Sequence, residues 1–252
     1  MRMAAALVLA VASGVALAGS AGASTDVVRA RVHAVLDAGT VELSDGRQVR
    51  LAQIRPPKMR ADRRALADRA RAALAALVAD REVVLRFPGP RFDRYDRLVA
   101  RVELPDGTWI QARLVEQGWA RVASDEDHVD GLEDLLVAER AARAAERGLW
   151  ADWRYRVMDP QTVAKAPEGF HLVEGTVVEV ATVGAWTYLN FGADWRTDFT
   201  ISVHRRDRRR LQEGLGDLAM LAGRRVRVRG WMRYFNGPMV EATYPQQIEL
   251  LD

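Results

Sequence analysis

Between residues 27 and 104, five short apolar runs sit so close together along the chain that only a small β structure can use them. Runs at 27–35, 40–43 and 48–54 come first, and Ser44-Asp45-Gly46 reverses the chain between the second and third as a hairpin. The period then changes. Over 61–79, Leu66, Ala70, Ala73, Leu74 and Leu77 recur at helical spacing and predict one helix with a single apolar stripe. Strand character returns at 83–87 and 99–104, followed by the turn Pro105-Asp106-Gly107. Helices are expected at 110–117, closed by Gly118, and at 132–147, closed by Gly148 with Leu149 and Trp150 packing behind it. This is an α+β order, and a strand triplet followed by a helix and two more strands fits a small closed barrel.

The second half repeats the strand theme. Residues 154–169 contain Asp159-Pro160 and Ala166-Pro167-Glu168-Gly169 and read as a linker. Strands are expected at 172–180, 186–191, 199–203, 224–231, 239–243 and 247–250, with a helix at 211–221, so 170–252 reads as a second small barrel.

The N-terminus has the anatomy of a leader. Arg2 precedes an apolar stretch over 4–18, too short to span a bilayer, and Ala21-Gly22-Ala23 offers a small-residue cleavage site. Residues 1–23 are read as a signal peptide, with the mature chain beginning near Ser24 in the periplasm or outside the cell; an uncleaved anchor is the alternative. No stable membrane insertion is expected once the leader is removed. The chain has no cysteine, so an exported fold rests on packing without disulfides, and thiol chemistry is excluded. The formal net charge is only +3, but it is unevenly spread: residues 50–101 carry 14 Lys/Arg against 6 Asp/Glu, whereas 123–139 carry seven acids and no Lys or Arg. Such polarity suits a polyanion on one segment, and the acidic stretch either docks a basic partner or forms a solvated helix start.

A distributed set of residues over 28–153 resembles the staphylococcal nuclease (thermonuclease) family. Val35-Leu36-Asp37 leads to Thr40, Asp45-Gly46 and Val49-Arg50-Leu51. Asp93-Arg94-Tyr95-Asp96-Arg97-Leu98, Leu114-Val115-Glu116-Gln117-Gly118 and Gly148-Leu149-Trp150 follow in order. The resemblance implies an OB-type five-stranded barrel with three helices over 26–153, and 170–252 looks like an added OB-like domain. It also implies a phosphodiesterase in which two aspartates and a carbonyl hold calcium, a glutamate acts on water, and two arginines clamp the phosphate. The clamp positions are kept as Arg50 and Arg97. The others depart: Gly39 and Arg55 stand at the two metal-aspartate positions and Lys58 at the base position.

These departures have a physical cost. A hard dication needs several oxygen ligands, and at about 4 Å from a guanidinium it is repelled by roughly 8 kcal/mol at an effective dielectric near 20. No cofactor is therefore expected, and no positioned base remains at Lys58. Arg50, Arg55, Lys58 and Arg97 would instead form an anion pocket, since arginine forks match phosphate oxygens. Purely structural roles also stand, with Arg50 pairing to Asp45 or Glu42 and Arg97 capping a loop.

In the second region, Arg225, Arg227 and Arg229 alternate with valines and point one face of a strand toward a polyanion, with Trp231 as a stacking ring. The aromatics Trp186, Tyr188, Tyr234 and Phe235 equally fit a core. The arginines over 205–210 read as a solvated turn or a second polyanion contact. His33, His128, His171 and His204 show no metal spacing. The reading is an exported, catalytically degenerate nuclease-like protein that binds nucleic acid, another polyanion or an acidic protein partner. An active phosphodiesterase with a rearranged site and a cell-envelope scaffold are the alternatives. No pattern sets an oligomeric state.

Overall fold

The computed structural model describes residues 27–194 and 196–251; the expected leader at 1–23 lies outside the described residues. Strands β1 (Val27–Asp37), β2 (Thr40–Leu43), β3 (Gln48–Leu51) and β4 (Ile54–Arg55) lead into α1 (Arg64–Val78). Strands β5 (Glu82–Arg86) and β6 (Leu98–Glu103) follow, then α2 (Ile110–Glu116), β7 (Arg121–Val122) and α3 (Leu132–Ala144). The second region holds α4 (Pro160–Val163), β8 (Gly169–Thr176), β9 (Glu179–Val183), β10 (Trp186–Asn190) and β11 (Thr200–His204). It ends with α5 (Arg205–Leu215), β12 (Arg225–Tyr234), β13 (Pro238–Glu241) and β14 (Ile248–Leu250).

Strands β1-β2-β3-β6-β5 close into the expected barrel. Closure depends on β1, whose residues 27–31 pair with β5 while Val32–Asp37 pair with β2. Register shifts between Val32 and Ala34 and between Val35 and Asp37 bend the strand so that it can serve both neighbours. Val32, Val41, Leu43, Val49, Leu51, Leu85 and Ala100 fill the interior. Helix α1 turns Ala67, Ala70, Leu74 and Val78 inward. Of the expected stripe, Ala70 and Leu74 are core, while Leu66, Ala73 and Leu77 flank it half-buried. The small alanines on the inner face let the helix lie close to the barrel.

The second region is mostly β, with seven strands in one sheet ordered β14-β12-β13-β11-β10-β9 and β8 also paired to β12. The ten-residue β12 carries β8 along Arg225–Met232, β14 at its start and β13 at its end. The strand expected over 172–180 is two strands, because the buried Val177 turns the chain into the second core and its N–H donates to the Arg224 carbonyl. The arginine run is helical rather than a turn: it opens α5, with Asp207 in the first turn where the helix dipole favours an acid. Residues 154–169, expected as a linker, pack on this region. Asp159 caps α4, Val163 is in the second core, and the Tyr234 hydroxyl donates to the Ala164 and Ala166 carbonyls.

Two glycines clamp the end of α3 against the end of α2. Gly118 and Gly148 have φ of +76° and +57°, and the Leu149 N–H donates to the Gly118 carbonyl at 2.8 Å. A Cβ on Gly118 would stand 2.1 Å from the Arg147 carbonyl oxygen, and one on Gly148 2.4 Å from that of Gly118. Either Gly→Ala substitution is therefore expected to destabilise the protein by about 2 kcal/mol or more through strain and overlap, read as a lowered urea midpoint.

Candidate anion site and the cleft beside it

Strand alternation builds the site. In β3 and β4, Val49, Leu51 and Ile54 are buried while Arg50 and Arg55 are only partly so. Arg50, Arg55, Lys58 and Arg97 all line one cavity of about 300 Å³, together with Asp37 and Gly39. The four predicted cations are thus brought together. Arg97 is tied down, its Nε and Nη2 donating to Asp93 at 3.0 and 2.7 Å, so it also has the loop-capping role. Asp45 pairs with Arg47 rather than Arg50. Among the described residues, Arg50, Arg55 and Lys58 form no ion pair. Burial, then the charge of Arg50, lowers the Arg55 guanidinium below its ordinary value. The charge of Arg55, then burial and Arg60, does the same to the Lys58 ammonium.

The calcium that the family resemblance implies does not fit these residues. Asp37 is the one carboxylate in the cavity, and its Oδ1 accepts the Gly39 N–H at 2.7 Å. Among the described residues no three His, Asp or Glu side chains group as metal ligands. Gly39 leaves no room for a carboxylate either, since a Cβ there would lie 2.9 Å from Pro56 Cγ.

Arg50 and Arg55 also line a second, larger space of about 430 Å³ between the barrel and the second region. Its barrel wall includes Gln53, Ser124, Asp125 and His128, and its far wall Phe170, Trp231, Glu241 and Tyr244. The Arg55 guanidinium lies 4.6 Å from the Trp231 ring centroid and 5.7 Å from that of Phe170, a cation–π arrangement that joins the two regions. His128 Nδ1 is 2.6 Å from Asp125 Oδ1, and that bond raises its imidazole above the ordinary 6.5 while burial opposes.

The arginines expected to face a polyanion from β12 are turned to other work. Arg229 is 1% exposed, 2.7 Å from Glu139 of α3 and 2.6 Å from Glu249 of β14. Its Nη1 also donates to the Val122 carbonyl. Arg227 pairs with Glu174 and Glu249, and Arg225 with Glu174. This corrects the expectation for Arg227 and Arg229, whose charge is spent on buried or half-buried carboxylates of the same chain, whereas Arg225 stays open to solvent beside Glu174. Trp231 is 53% exposed and does reach the cleft. Glu139, with no exposed surface, also accepts the Val122 N–H at 2.7 Å. Sequence reasoning missed Glu139 as the anchor, although it falls on the apolar stripe of α3 with Leu132, Leu135, Leu136 and Ala142. It missed the cleft as well. Among the described residues no helix is long and apolar enough to cross a membrane.

The family model for staphylococcal nuclease homologues matches residues 48–152. Two proteins named "Uncharacterized endonuclease", from Escherichia coli and Escherichia coli O157:H7, are each 32% identical over 143 residues, covering 51% of this chain and 86% of their own length. The chain belongs to the staphylococcal nuclease family. It is a nuclease-like protein, and the matched span contains Arg50, Arg55, Lys58 and Arg97 while ending before the second β region.

The buried ion cluster generates two expectations. Burial disfavours a charged Glu249, but Arg229 and Arg227 outweigh it and hold the carboxyl below its ordinary 4.5. A carboxylate held down in the folded state stabilises above its unfolded pKa and loses that contribution as pH falls through the folded value. Stability measured by urea unfolding should therefore fall as pH drops below 4.5. Glu139→Gln leaves Arg229 half-paired in the interior and should cost about 3–5 kcal/mol at neutral pH.

Proposed function

We propose that this protein is an exported member of its family that binds a phosphate-containing ligand, nucleic acid by its kinship, without calcium-dependent cleavage. The observation that carries this reading is the convergence of Arg50, Arg55, Lys58 and Arg97 on one cavity whose only carboxylate is Asp37. Arg50 and Arg55 repel each other, and Arg55 repels Lys58. A bound phosphate relieves both repulsions, and that relief favours the complex. The forks of Arg50 and Arg55 supply paired N–H donors to its oxygens, while Arg97 adds its positive charge with its Nε and Nη2 held by Asp93. Hydrolysis needs a charged Lewis acid or a positioned base. Asp37 is engaged by Gly39, and Lys58 is a solvent-exposed amine among cations. The leader places the mature chain in the periplasm or the medium, where N-terminal sequencing should find a start near Ser24.

The endonuclease name of the relatives favours a second reading, an active phosphodiesterase with a rearranged site. One assay separates the two. Single-stranded DNA titrated at low and high salt should bind in a salt-sensitive manner, and Arg50→Ala should weaken it about tenfold or more. The strand should survive incubation with calcium, magnesium or manganese. Cleavage that disappears in Arg50→Ala would establish the active reading. Absence of both binding and cleavage would leave the scaffold alternative.

A further inference from the structure

We propose that the outer face of the second region's sheet carries single-stranded nucleic acid onward from the arginine pocket, its bases stacked on Trp231, Trp186, Tyr188 and Phe235. The inference rests on the phosphate reading of that pocket and adds the path taken by the rest of the ligand. Strand alternation makes the face. Leu189 of β10, Ile201 and Val203 of β11, Met232 of β12 and Val240 of β13 belong to the second core. Their neighbours point the other way. Trp186 stands opposite His204, Tyr188 opposite Ser202 and Arg233 opposite Met239. Phe235, at the turn between β12 and β13, is 66% exposed, and neither Trp186 nor Tyr188 joins the core. These rings, which in sequence fitted a core equally well, therefore line a surface.

That surface is continuous with the pocket. The pocket shares Arg50 and Arg55 with the cleft beside it. The cleft shares Arg233 with a slot of about 370 Å³, lined by Trp186, Tyr188 and Phe235 around the small, buried Ser202. The slot in turn shares Tyr188, Phe235 and Met239 with an apolar groove of about 440 Å³ that reaches Ala181 and Val183 of β9. Trp231, already stacked on Arg55, bridges the first step. The rim of the path is mainly basic. Arg206 and Arg233 share Glu241 between them. The Arg205 N–H donates to the Ala185 carbonyl next to Trp186, and its exposed guanidinium forms no ion pair among the described residues. The cleft's other carboxylates are engaged within the chain, Asp125 by His128 and Glu126 by the Thr243 hydroxyl. Glu179 stands at the far groove, where the path ends. Rings beside a cationic rim match unpaired bases on a phosphate backbone, whereas a duplex keeps its bases stacked on one another.

The experiment measures binding of oligo(dT) by fluorescence anisotropy on the full chain, using a 5′-phosphorylated trimer that the pocket alone holds and a dodecamer that runs along the sheet. Arg50→Ala should weaken both. Tyr188→Ala and Phe235→Ala should each weaken the dodecamer about fivefold or more and leave the trimer within about twofold, the loss expected for one stacked base. Phe235 stands clear of the core, so its removal keeps the fold, and Tyr188→Phe should restore dodecamer binding. Dodecamer binding that depends on Arg50 but ignores both ring variants would overturn the path and leave the pocket reading standing. Equal losses for trimer and dodecamer in the ring variants, or equal affinity for a duplex of the same length, would overturn the path as well. Failure of both oligomers to bind would overturn the pocket reading and the path with it.

Discussion

The structure turns on one buried guanidinium. Arg229 leaves β12 of the second region, crosses to the barrel side and meets Glu139 of α3, while Glu249 holds it from behind. Taking an unpaired charge out of water costs several kcal/mol, so each of these groups makes the others obligatory. Glu139 also receives the Val122 N–H, which ties the ion cluster to the backbone of β7. An apolar seam of Ala142, Leu149, Trp150, Tyr155 and Leu172 runs alongside, and Tyr244 from the second region joins the barrel's own core. Arg121 is pushed down to about 10 by burial and lies between the rings of Tyr155 and Phe170. Polar specificity and apolar area thus act at the same junction.

That junction also borders the cavity lined by the four cations. The pocket cations come from β3, β4 and the loops after them, but one of their number, Arg55, rests on rings of the second region. With the second region in place, the cavity acquires a neighbouring cleft lined by both arginines and carboxylates, among them Arg206, Arg233 and Glu241 of the second region.

Local pattern carried the reading of the barrel. Valine and leucine alternation in β2 and β3, the turn at Asp45-Gly46 and the alanine-rich stripe of α1 are each decided within a few residues, so sequence and structure agree there. The convergence of Arg50, Arg55 and Lys58 on one cavity was legible for the same reason, because they sit at fixed offsets along two short consecutive strands and the loop after them. What was not legible depends on groups far apart. Arg225, Arg227 and Arg229 alternate with valines as a surface strand would, yet β8 and β14 cover both edges of β12 and α3 covers Arg229. Of the acidic stretch over 123–139, Glu139 finds a basic partner in the same chain, at Arg229. A glutamate on an apolar helical stripe was the one available hint, and without its partner's position it could not be told from a solvated acid.

The close approach of Pro56 to Gly39 sets a limit on redesign. A carboxylate-bearing side chain at position 39 would need a rigid pyrrolidine ring to give way. Replacing Arg55 would remove the guanidinium stacked on Trp231 and loosen the seam between the two halves. Building an oxygen cage here therefore calls for concerted changes on both sides of that seam rather than one exchanged side chain.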